Sequence, residues 1–225
     1  MSKKKHGEFI LAVERKYFDN NPLFKDGVTE YMMSNWLNEV QSHLVIKERA
    51  ALEIDSSYLQ IIPYAVIRQA DYSDGKRYHA YRRTSLSGEK RLAGNVSIGY
   101  GGHIDMLDIA TSINSVIDLK QTIINAVKRE LEEEITVTFP FGYDRLKEDI
   151  FSFSNMFIMD SSNEVGKVHL GIVLTIDLPE ASDIACNEIM MEAMPPLLPG
   201  QLLKSDYPLE SWSSIYLKHK YSAVV

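Results

Sequence analysis

The sequence predicts a mixed α/β fold of the α+β kind, a mixed β-sheet with helices on its faces. Three observations carry this expectation. One strong amphipathic helix lies past the middle of the chain, β-rich runs stand on both sides of it, and a second helical pattern closes the sequence. The 225 residues suit one such domain, or one with an added subdomain, and 45% apolar residues are ample for a sizeable core.

"GEFILAVERK" (Gly7–Lys16) reads as a first strand. Lysines precede its apolar run, but Phe9–Val13 is too short for a signal peptide's apolar region. "DNNPLFKDG" is dense in turn residues and predicts a loop. "TEYMMSNWLNEV" (Thr29–Val40) has helical spacing through Tyr31, Met32, Trp36, Leu37 and Val40. "ERAALEIDSSYLQ" leaves helix and strand open. From Leu59 the β signal strengthens, and Pro63 implies an edge or a bulge. "DYSDGK" is an Asp-Gly turn, with "RYHAYRRTS" (Arg77–Ser85) returning as hairpin partner. "SGEKRLAGN" is a loop, and "VSIGYGGHID" (Val96–Asp105) a strand running into a glycine turn.

"MLDIATSINSVI" (Met106–Ile117) reads as an inserted loop with a short helical turn. "DLKQTIINAVKRELEEEI" is the best helix. Asp118 can cap it, Gln121 completes a capping-box pattern, and Leu119, Ile123, Val127 and Leu131 form an apolar stripe. "TVTFPF" (Thr136–Phe141) is a strand. "DIFSFSNMFIMD" and "KVHLGIVLTIDL" form a hairpin across "SSNEVG". "MPPLLPGQ" interrupts the pattern, and "PLESWSSIYLKHKY" (Pro208–Tyr221) closes the chain as a helix with Lys218, His219 and Lys220 at its C-terminal end. No linker splits the chain.

Lys+Arg number 24 and Asp+Glu 31, a net charge of −7. That balance argues against general nucleic-acid binding. It leaves room for a small phosphorylated substrate, since divalent metals bridge acids to phosphate oxygens. The single cysteine, Cys186, reads as a small core residue and excludes an intrachain disulfide. No stretch approaches a membrane span, so the expectation is a cytoplasmic protein with no membrane partner.

The acids of "RELEEEI" raise the chemical question. On a helix, Glu130, Glu133 and Glu134 share one face while Glu132 points elsewhere. Three carboxylates near a helix C-terminus repel one another and oppose the macrodipole. A solvated acidic face is one reading. A divalent cation bound by hard oxygen ligands, Mg²⁺ or Mn²⁺, is the other. Arg129 can pair with Glu133 one turn on. The upstream turn Gly99-Tyr100-Gly101-Gly102 could present backbone N–H groups to phosphate.

"RELEEEITV" (Arg129–Val137) resembles the core of the Nudix box, G-x5-E-x7-R-E-U-x-E-E-x-G-U, where U is a bulky apolar residue. Arg129 to Glu134 match R-E-U-x-E-E without a gap, and Val137 matches the final U. Gly101-Gly102 is similar to the opening glycines, "LESWS" to the start of the last helix, and "HAYRRT" to a strand leading to an arginine. "VERKYF", "QIIPYAVI" and "GYGGHI" resemble a bacterial Nudix subgroup with an N-terminal extension. The chain departs at three places. Gln121 stands at the upstream glutamate, Thr136 at the late glycine, and 18 residues separate Gly102 from Gln121 where the box has five, an insertion of 13.

The resemblance implies a Nudix-like α/β/α sandwich over residues 59–225, with residues 1–58 an extension packed on the same domain. It implies hydrolysis of a nucleoside diphosphate linked to another moiety (NDP-X), with Mg²⁺ or Mn²⁺ on Glu130, Glu133 and Glu134 and Arg129 orienting them. Gly101, Gly102, His103 and Arg82 are the substrate-facing candidates. The implied partner is a small nucleotide, and a homodimer stays open. Arg82 and Arg83 alternate on a strand, so at most one reaches a phosphate. His103 also reads as a loop histidine. Glu188 and Glu192 lie where some members place a base, and Glu210 reads as a cap of the closing helix. Tyr58, Tyr64 and Tyr100 are base-stacking or core residues. Two other functions stay open: a non-catalytic nucleotide sensor, and an interaction module with a solvated acidic face.

Overall fold

Four consecutive apolar residues, Ile10 to Val13, are all buried, so the first strand is covered on both faces rather than alternating. The computed structural model describes residues 8–71, 75–86, 92–114, 116–140, 150–204 and 208–222. In chain order its elements begin β1 (Phe9–Glu14), α1 (Arg15–Asp19), β2 (Gly27–Glu30), α2 (Met33–Glu39), β3 (Leu44–Glu48), α3 (Arg49–Leu52) and β4 (Tyr58–Asp71). Next come β5 (Gly75–Tyr78), β6 (Tyr81–Arg83), β7 (Val96–Ser97), β8 (Gly99–Tyr100), α4 (Leu119–Glu134) and β9 (Ile135–Thr138). The chain ends with β10 (Phe151–Met159), β11 (His169–Leu178), β12 (Asp183–Cys186), β13 (Met191–Ala193), α5 (Pro199–Lys204) and α6 (Ser211–Lys220). The fold is mixed α+β with a mixed sheet: the ladders described below are antiparallel, and Val96 and Leu209 form a parallel bridge.

The chain divides into two compact units that interleave in sequence. The first takes the described residues up to Pro63, then 102–126 and 155–172. In it β1 pairs with β3 and with the start of β4, and β2 pairs with the end of β10. Trp36, Phe24 and Phe157 pack edge to face or tilted, at centroid distances of 5.1 and 5.4 Å. The helix expected over Thr29–Val40 is shorter. Thr29 and Glu30 belong to β2, and the buried face is Met33, Trp36 and Val40 while Met32 is exposed. Within the insertion, Met106–Asp108 is one 3₁₀ turn capped by Asp105, which accepts from the Leu107 N–H at 2.6 Å. A bridge from Thr111 to Ile117 closes the loop.

The second unit takes 64–101 and the described parts of 127–154 and 173–225. β4 pairs with β5 and with β8. Residues 72–74 of the expected turn and 87–91 of the expected loop lie outside the described residues. The hairpin expectation is met by β5 alone, because β6 pairs with β7 and β13. β9 pairs with β12, joining the strand after α4 to a strand nearly fifty positions later. Gly99 is required by packing: a Cβ there would stand 1.9 Å from the Tyr64 ring. That ring meets Trp212 edge to face, and its hydroxyl bonds Ser213 Oγ at 2.8 Å.

The helix α4 forms as its sequence requires. Leu119, Ile123, Val127 and Leu131 are all buried. Asp118 caps the first turn by accepting from the Gln121 N–H at 3.0 Å, whereas the Gln121 side chain turns forward to Asn125 instead of completing the box. The closing helix α6 carries its three basic residues in the last turn. The short helix α5 inside the proline-rich stretch carried no sequence signal that stood out, since Pro at a helix start costs nothing and six residues are too few for a period.

Candidate active site

The last two turns of α4 present the carboxylates, and burial sorts them. Glu130 is 17% exposed and Glu133 58%, while Glu134 is half-buried and Glu132 lies on the exposed side. Arg129 donates to Glu130 Oε1 at 2.7 Å and lies 3.6 Å from Glu133 Oε1, so one guanidinium holds two of the three carboxylates. The third, Glu134, accepts the Gly101 N–H at 3.1 Å. Gly101 has φ +134°, a conformation that disfavours every residue with a side chain. The opening glycine thus aims its amide at the last glutamate of the helix.

The electrostatics single out Glu134. Burial first, and then the charges of Glu130 and Glu188, push its carboxyl up to about 8, against the pull of the Gly101 N–H and Arg83. Burial, with Glu134 and Glu188 beside it, pushes the thiol of the partly buried Cys186 up to about 11, away from the thiolate form. Tyr100 packs on Tyr81 at 5.1 Å between centroids, and its buried hydroxyl has no hydrogen-bond partner among the described residues. Tyr64 is likewise core, and Tyr58 lies under the Lys47 ammonium at 3.7 Å.

Of the two neighbouring arginines, Arg83 faces this cluster. It bonds Glu210, lies 5.6 Å from the Tyr81 ring centroid, and its charge reaches Glu134. Arg82 points to the other face and pairs with Glu192 at 2.5 Å. Glu210 is therefore an ion-pair partner; although it precedes α6, its side chain makes no cap hydrogen bond. Gly102 and His103 belong to the first unit, where His103 Nε2 meets His169 Nε2 at 3.2 Å. Arg83 and Glu188 carry weaker sequence signals than Arg82 and the helix carboxylates. The alternation along β6 was the available signal for the first; for the second only the β9–β12 pairing brings residue 188 to the helix end.

The donor chemistry suits a hard divalent cation: a half-buried carboxyl crowded by two others is costly to ionise, and a cation relieves that cost. As placed, though, the side chains are engaged with Arg129 and Gly101, and among the described residues no group of three or more His, Cys, Asp or Glu is arranged to hold a metal ion. Nor, among the described residues, is any helix long and apolar enough to cross a membrane.

No family model matches the chain. Protein YmaB of Bacillus subtilis is 31% identical over 214 residues, covering 93% of this chain and 95% of that protein. Among solved structures, Tm1382, classed provisionally as a Nudix hydrolase, superposes with a TM-score of 0.70 at 23% identity, over 96% of this chain and 100% of its own. The chain belongs to the family of Protein YmaB and has the fold of the Nudix hydrolases.

Proposed function

We propose that the chain is a metal-dependent pyrophosphohydrolase that cleaves a nucleoside diphosphate linked to another moiety by attack of water at phosphorus. The observation that carries this reading is the state of Glu134, drawn inward, bonded to the Gly101 amide and crowded by Glu130 and Glu188. Structural neutrality is a poor explanation for such crowding, because each carboxylate raises the cost of ionising the next. Glu130, Glu133 and Glu134 would hold Mg²⁺ or Mn²⁺, which supplies charge neutralisation at the phosphates and an acidified water.

The chain's own residues do the positioning. Arg129 fixes Glu130 and limits the swing of the more exposed Glu133. Gly101 fixes one oxygen of Glu134. Arg83 brings a cation to the same cluster, where it can meet a phosphate oxygen in exchange for part of its pairing with Glu210. Glu188, whose charge is felt at Glu134, would accept a proton from the attacking water. The substrate class is small nucleotides, in keeping with the acidic net charge.

The test is a screen of sugar nucleotides, dinucleoside polyphosphates, dinucleotide cofactors and nucleoside triphosphates with Mg²⁺ and Mn²⁺. Turnover by wild type, lost in Glu133→Gln/Glu134→Gln, supports the reading; a folded wild-type protein that turns over nothing on the panel sinks it. A second reading, a non-catalytic nucleotide sensor on this fold, is favoured by Gln121, whose amide bonds Asn125 where the family pattern has a carboxylate. It predicts that the double variant keeps ligand affinity.

A further inference from the structure

At the position of the box's late glycine this chain has Thr136, and the structure shows what replaces the glycine turn. The helix α4 runs directly into the strand β9, with Ile135 opposite Cys186 and Thr136 opposite Ala185. Among the described residues only Asn155 and Ala181 are non-glycine residues with positive φ, so Thr136 sits in ordinary extended backbone. A helix that ends this way leaves its last carbonyls without the bonds a left-handed glycine turn supplies.

Asn187 supplies them. Its N–H donates to the Glu134 carbonyl at 2.8 Å and its side-chain amide to the Glu132 carbonyl at 3.2 Å. The Thr136 hydroxyl donates to Asn187 Oδ1 at 2.7 Å, which orients the amide for that second bond. Asn187 thereby clamps two of the last four carbonyls of the helix bearing the carboxylates, and it immediately precedes Glu188, whose charge reaches Glu134.

We infer that Asn187 and Thr136 form a staple that takes the place of the glycine turn and positions Glu134 and Glu188 relative to each other. These are positioning residues, since neither reaches the reacting atoms in this account, and the inference rests on the proposed hydrolytic site for its functional consequence. The staple has a geometric consequence that does not depend on activity. The Gly101 N–H donates to the Glu134 side chain, so its amide reports where that carboxyl is held.

The experiment compares Asn187→Ala, Thr136→Val and Thr136→Ser with wild type. Val keeps the β-branched shape and removes the hydroxyl, whereas Ser restores it. Three readouts are taken: amide exchange at Gly101 by NMR, Mn²⁺ binding followed by the loss of free-ion signal, and kcat and KM on the best substrate of the panel. Expected are about tenfold faster Gly101 exchange, several-fold weaker Mn²⁺ binding and about tenfold lower kcat with KM within twofold for Asn187→Ala, a smaller change of the same kind for Thr136→Val, and near wild-type behaviour for Thr136→Ser. Folded variants whose Gly101 exchange and Mn²⁺ binding equal wild type overturn the inference. If wild type itself has no turnover, the hydrolase reading fails, while Gly101 exchange still decides the staple.

Discussion

Replacing Glu134 by Gln should stabilise the protein at alkaline pH while abolishing its activity. The carboxyl is held at about 8 against an ordinary 4.5, chiefly by burial and then by Glu130 and Glu188. A group raised in this way favours the protonated fold. Its contribution is fully present below about pH 4.5 and is lost as pH rises through about 8, because the folded protein resists an ionisation that the unfolded chain undergoes freely. The separation corresponds to about 5 kcal/mol when ionisation is complete, at about 1.4 kcal/mol per pH unit. Water reaching a half-buried site and coupling to Glu130 reduce this, so ~2–3 kcal/mol is expected at pH 9. Gln keeps the oxygen that accepts from the Gly101 amide and removes only the charge. In metal-free buffer Glu134→Gln should therefore melt about 5–10 °C above wild type at pH 9 for a chain of this size, and at nearly the same temperature at pH 4.5. Adding Mg²⁺ should raise the melting temperature of wild type at pH 9 and leave that of the variant unchanged. An equal gain at both pH values, or no gain at pH 9, would refute the claim that the fold places an uncompensated charge here.

Other outcomes follow from the same geometry. Arg83→Ala should cut turnover at least tenfold and Arg82→Ala less than threefold, measured as kcat/KM, because the Arg83 charge reaches Glu134 whereas Arg82 pairs with Glu192. Gly99→Ala should destabilise by ~3 kcal/mol or more in urea unfolding, since its Cβ would overlap the Tyr64 ring at 1.9 Å. His79 is buried and held at about 4, mainly by burial with Asp183 partly opposing, so it stays neutral in the fold at pH 5, as an imidazole NMR titration would show. Its contribution to stability is present above the ordinary 6.5 and lost as pH falls through about 4, so the acid limb of the stability curve should flatten in His79→Gln.

Much of this could be read in the sequence because the relevant signals are local. The stripe Leu119–Ile123–Val127–Leu131, the Asp118 cap and the face shared by Glu130, Glu133 and Glu134 need only the period of a helix. The first strand and the long pair over 151–178 needed only runs of β-formers. Features set by distant pairing were less legible. Asn187 carried no signal and Glu188 stood only beside Glu192 as a candidate base; both reach the end of α4 through β12, and Glu210 turns from its expected capping role to Arg83 across more than a hundred positions. The spacing of Thr29–Val40 was helical, yet pairing of β2 with β10 took its first two residues into a strand and rotated the buried face onto Met33. Thr136 read as a missing glycine. Its hydroxyl is part of the replacement, which no single-residue rule anticipates.

The central claim is that the carboxylates ending α4 form a metal-dependent hydrolytic centre. Its most direct test is turnover of the best panel substrate in heavy-oxygen water with Mg²⁺, with mass spectrometry of both products. The account predicts one heavy oxygen in a phosphoryl group of one product, and no product from Glu133→Gln/Glu134→Gln. A folded wild-type protein without metal-dependent turnover, or label found only on the non-phosphoryl moiety, would contradict it.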